Sequence, residues 1–131
     1  SAASDVYKRQ EHYVMIEEQI LKEMYLRGAS DMEKLRTNGK DASSNMKLLE
    51  AEYGSKKNQI YEEVSQKLKE KASVRSEWDQ KHTVEKQIYK EMSDTICCRY
   101  EKLMKMKKAV GTVERRLMYL QGALDRSRML A

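Results

Sequence analysis

Two histidines, two adjacent cysteines and a dense set of carboxylates are the side chains with the means to do chemistry in this chain. Acid–base work needs titratable groups held within hydrogen-bond reach, and a metal needs several ligands converging on one point. His12 and His82 lie far apart, and neither has a second metal-type ligand at a helical spacing that suggests a site. Cys97–Cys98 lacks the two-residue gap that lets a pair of thiolates grip one zinc. One thiol of the pair is expected to be buried and the other exposed, with no redox role. Glycine-rich phosphate loops, nucleophile elbows and HExxH patterns do not occur. The carboxylates sit on a chain with 36% charged residues, where i, i+4 pairs arise by default and support helices. The reading is a non-enzyme, with no catalytic residue, no cofactor and no metal.

The basic residues form a clearer pattern. Residues 11–98 hold 15 Lys/Arg and 17 Asp/Glu, a net charge of −2. Residues 99–131 hold 9 Lys/Arg and 3 Asp/Glu, a net charge of +6. On a helical wheel Lys102, Lys105, Lys108, Arg115, Arg116 and Arg126 occupy three adjacent rows, with Tyr119 on the same side. Such rows either pair with acidic residues of a neighbouring helix, for which Glu17, Glu18 and Glu23 are suited, or present an anion-binding ridge. The commonest partner for a ridge is nucleic acid, held through phosphates, with Tyr119 as the candidate for base stacking. An anionic membrane surface is a further possibility.

These residues must be positioned by helices. The chain has 131 residues, no Pro, no Phe and 5 Gly, a composition that fits long helices or coiled coil in a single domain. No apolar run approaches the ~20 residues that span a bilayer. With only two cysteines, which are adjacent, a disulfide framework is excluded, and the expected compartment is the reducing cytoplasm.

Tyr13, Ile16, Ile20 and Met24 recur at helical spacing, and Gly28 is placed to end that helix. Residues 11–37 are thus expected to be a helical segment with a break near Gly28. Residues 38–44 carry turn chemistry and read as a loop, with Ser43 or Ser44 capping the next helix. Residues 45–131 read as a long helical region. Met46, Leu49, Tyr53, Ile60, Val64 and Leu68 keep to one stripe, and the phase is lost around 72–78. That stretch is the expected hairpin turn, with Ser73 or Ser76 as a cap; one uninterrupted helix is the rival. Trp78 is expected to anchor the corner.

The strongest pattern steps by three and four through Tyr89, Met92, Ile96, Arg99, Leu103, Met106, Val110, Val113, Leu117, Leu120 and Leu124. Ten of the eleven are apolar, where the chain-wide share of 40% predicts four or five. This is a heptad packing seam with one polar interruption, Arg99, running unbroken through Gly111. Cys97, Tyr100, Met104 and Met118 widen it on one flank, which calls for two neighbouring helices.

The opening SAASDVYKRQ is, codon for codon, TCG-GCA-GCG-TCA-GAT-GTG-TAT-AAG-AGA-CAG, which matches a transposase adapter of short-read library preparation. Residues 1–10 are therefore read as adapter translation, and the natural chain is expected to start at or near Glu11.

The expected fold is all-α, an elongated helical hairpin or bundle with coiled-coil character. The expected function is structural: a module that oligomerises or docks on a larger assembly, by self-association or with another helical protein. The alternative is a small nucleic-acid-binding accessory protein that uses the basic face.

Overall fold

A computed structural model describes residues 2–130. Four helices account for nearly all of them: α1 (Ala2–Lys34), α2 (Ala42–Lys69), α3 (Ala72–Glu91) and α4 (Asp94–Leu130). The described residues contain no strand, and the helices form a bundle. Ser1, the first residue of the stretch read as adapter, lies outside the described residues; residues 2–10 continue α1.

The helices pack as two compact units. The first holds residues 1–19 and 68–112, and the second holds residues 20–67 and 113–131. Ile16, Leu68, Val74, Ile88 and Tyr100 are buried in the first. In the second, Ile20, Met24 and Met32 of α1 are buried with Leu49, Tyr53, Ile60 and Val64 of α2 and Tyr119 and Ala123 of α4. The α2 residues recur at spacings of four and seven, so they line one face of a nearly straight helix.

The helix ends differ from the sequence expectations in instructive ways. α1 does not break at Gly28. That glycine lies in the helix interior and meets a facing helix, so its missing side chain serves packing and not a left-handed turn. The turn glycine is Gly39, whose φ of 76° is left-handed. α2 is capped by Asp41, two residues before Ser43 and three before Ser44. Its Oδ1 accepts the Ser44 amide at 2.7 Å.

The next turn is confined to residues 70–71. Lys71, in extended conformation, precedes α3 without a side-chain cap, so neither Ser73 nor Ser76 starts that helix. A second interruption, at Met92–Ser93, is absent from the sequence expectation. Met92 is extended, and its amide closes α3 on the Ile88 carbonyl. Ser93 opens α4: its carbonyl accepts the Cys97 amide at 2.9 Å, and its hydroxyl accepts the Ile96 amide at 3.4 Å. The region 45–131 is therefore three helices, and the heptad pattern crosses a break. Gly111 stays helical.

Candidate functional site

In the first unit α4 shows two apolar faces. Tyr100 and Gly111 are buried, and Cys97, Met104 and Lys107 on the same face are half-buried. This is the flank that the sequence places beside the seam. The seam itself stands one residue earlier at each step, about 100° around the helix, and faces out. Ile96 is 52% exposed, Leu103 46%, Met106 66% and Val110 57%. Tyr89 is also exposed along one edge while its ring meets Tyr100 edge-on at 5.9 Å. Met92 is half-buried. The chain thus packs on the flank and leaves the stripe uncovered.

The second unit explains the choice of face. Gly122 and Ala123 bring α4 against α1, where Gly28 lies opposite. A Cβ on Gly28 would collide with the Tyr119 carbonyl, and a Cβ on Gly122 would collide with the Tyr25 carbonyl. Two hydrogen bonds flank this crossing. Tyr119 Oη donates to Asp31 at 2.6 Å, and Tyr25 Oη donates to Asp125.

The two bonds are the same bond seen from opposite helices. Residues 24–31 read MYLRGASD and residues 118–125 read MYLQGALD, identical at six of eight positions. Each copy supplies a glycine for close approach, a tyrosine donor and an aspartate acceptor. The repeat was legible in the sequence, but a search for hydrophobic period alone passes over it. Small residues at the crossing draw this face of α4 inward, and the larger Val113 and Leu117 stay exposed. Leu120 and Leu124 are half-buried.

The expected anion face divides. Lys102, Lys105 and Lys108, in the first unit, are exposed, and their side chains meet no acidic partner among the described residues. In the second unit the basic residues are engaged. Arg115 lies over the Tyr61 ring at 4.4 Å. Arg116 pairs with Glu50 at 2.6 Å, and Arg126 with Glu33 at 2.7 Å. The acidic partners are therefore Glu50 and Glu33. Glu23 instead meets Lys67 at 3.1 Å.

Tyr119 is a correction. The helical wheel puts it beside the basic rows as a base-stacking candidate, but it is 1% exposed and stacks on Tyr53 at 4.8 Å. Burial, with the bond to Asp31, pushes its hydroxyl far above the ordinary tyrosine range. A ring enclosed in this way has no face left for a nucleobase.

The remaining candidates show little assembled chemistry. Cys97 is half-buried and Cys98 exposed, and burial pushes the Cys97 thiol up, away from the reactive thiolate. Trp78 is half-buried under the Lys69 ammonium, 4.7 Å from its ring centre. Among the described residues no group of three His, Cys, Asp or Glu side chains is placed to hold a metal ion. None of their helices is long and apolar enough to cross a membrane. Compared with family models, curated proteins and solved structures, the chain matches none.

Proposed function

We propose that the chain is a structural or interaction protein, a helical module of coiled-coil character that oligomerises or docks on a larger assembly through the apolar stripe of α4. The observation that carries this reading is the exposure of Ile96, Leu103, Met106 and Val110 on one face of a helix whose other face already serves the chain's own core. Contiguous apolar surface of this kind costs solvation until something covers it, and it marks interaction sites in soluble proteins.

The test compares the full chain with the double variant Met106→Glu, Val110→Glu. Each is followed by circular dichroism, thermal melting, sedimentation over a wide concentration range and binding of a hydrophobic reporter dye. The variant should keep its helicity and midpoint and lose the dye binding or self-association that the parent shows. A variant that unfolds would place the stripe in the chain's own core and overturn the reading.

A second reading rests on Lys102, Lys105 and Lys108, exposed on adjacent rows and without an acidic partner among the described residues. It makes the chain a small nucleic-acid-binding accessory protein. Anisotropy of a labelled single-stranded oligonucleotide at low and moderate salt tests it. Binding that falls steeply with salt, and is lost on charge reversal of Lys105 and Lys108, supports it. No binding at low salt removes it.

A further inference from the structure

We propose that the exposed stripe Ile96, Leu103, Met106 and Val110 takes one acidic amphipathic helix of a partner protein, and not a second copy of this chain. The inference rests on the docking reading above and names the occupant.

Charge and shape together select the occupant. Residues 96–110 carry five basic side chains, Arg99, Lys102, Lys105, Lys107 and Lys108, against a single acid, Glu101. Their placement around α4 is not uniform. The half-buried Lys107 lies on the inner edge of the stripe, where its ammonium meets Gln10. Arg99 lies within the stripe and Lys102 on its outer edge, while Lys105 and Lys108 lie on the far side of the helix, all exposed. Glu101 sits on the far side of the helix, more than 90° from the stripe's centre line at 100° per residue. A helix laid along the stripe would cover the four apolar residues and Arg99 and bring its flanking positions beside Lys102 and Lys107. Flanking positions decide partner choice in such pairings.

A second copy fits this badly in either direction. Its stripe has the same basic edge, so parallel pairing sets Lys102 near the copy's Lys107. Antiparallel pairing sets basic edge against basic edge. The one carboxylate that could relieve either arrangement faces away. Like charges at flanking positions discriminate against a partner. Nucleic acid fits the other half badly, because a phosphate backbone satisfies the lysines and leaves Leu103, Met106 and Val110 in water. An amphipathic helix with acidic flanks meets both features at once.

The test uses the full chain, fluorescently labelled, and two synthetic amphipathic peptides with one shared apolar heptad core. One peptide carries Glu and the other Lys at the flanking positions. The acidic peptide should bind at least about tenfold more tightly than the basic one, and the difference should shrink as salt rises. The variant Arg99→Glu, Lys102→Glu should reverse the preference, and Val110→Glu should abolish binding of both peptides while leaving the helical signal intact. Equal binding of the two peptides, or preference for the basic one, overturns the inference. A chain that binds neither peptide but self-associates through the stripe overturns the inference and leaves the docking reading standing. A stripe inert to peptides, dye and its own copies overturns both.

Discussion

The most constrained positions of the chain are two glycines. At Gly122 an added methyl group would meet the Tyr25 carbonyl, and backbone cannot swing aside as a flexible side chain can. Gly122→Ala gains helix propensity, about 1 kcal/mol. It must then force apart two packed helices, and overpacking costs about 1–3 kcal/mol. The expected net effect is a lower urea midpoint, and Gly28→Ala should behave alike because it meets the Tyr119 carbonyl. Gly54 is the internal control. It is helical and exposed, with nothing near the position of an added Cβ, so Gly54→Ala should stabilise by about 0.5–1 kcal/mol. If all three substitutions raise the midpoint, the close crossing of α1 and α4 in the second unit is wrong. A second contrast uses tyrosines. Tyr119→Phe removes a donor from Asp31 and should cost about 1–2 kcal/mol. Tyr100→Phe removes a buried hydroxyl that has no partner among the described residues, so it should be neutral or stabilising. These roles were not visible to local rules. Gly28 after a run of helical spacing is a sound stop signal in isolation, and only a facing helix gives the glycine a different use.

At the scale of the element, α4 is a helix with two apolar faces about 100° apart. The chain buries the one that carries Gly111, Gly122 and Ala123. The heptad rule finds the larger apolar side chains and is blind to small ones, so it points at the stripe of Leu, Met and Val. It cannot show that the neighbouring face, with smaller residues and two tyrosines, lets helices approach more closely. Stability should follow the buried face. Tyr100→Ala should cost about 3 kcal/mol or more, as large-to-small changes in a core do. Leu103→Glu should change the unfolding free energy by no more than about 0.5 kcal/mol, as expected of a surface position. Equal costs at the two sites would mean that both faces are buried in solution. The α2 stripe was legible because one neighbour-facing row holds its large residues: Leu49, Tyr53, Ile60, Val64 and Leu68 are all buried. The break at Met92–Ser93 escaped notice because seam residues continue across it at the right spacing, although Ser93–Asp94 is an ordinary helix start.

For the whole molecule, the carboxylates forecast where acid acts first. Four in the second unit are held below the usual carboxylate range: Glu33 by the hydrogen bond from Arg126, Glu63 by that from Arg27, Asp41 by the Ser44 amide, and Asp125 by the Tyr25 hydroxyl. In the first unit only Glu91, through Gln87, is shifted the same way among the described residues. A carboxylate with a depressed folded pKa binds its proton more weakly in the folded chain than in the unfolded one. Its contribution is present above the unfolded pKa, near about 4, and is lost as pH falls through the folded value. The Arg126–Glu33 and Arg27–Glu63 pairs are about one third or more open to solvent on at least one partner and are screened by it, so each contributes little, and the effect comes from their number. Hydrogen exchange measured from neutral pH down to about pH 3 should therefore show amides of α2 losing protection ahead of those of α3, after correction for intrinsic exchange. The variant Asp125→Asn, which keeps an oxygen to accept from Tyr25 but cannot titrate, should flatten the pH dependence of the α2 amides without changing that of α3. If α3 opens first, or both helices open together with Asp125→Asn silent, the acid response is not set by the crossing of α1 and α4 in the second unit.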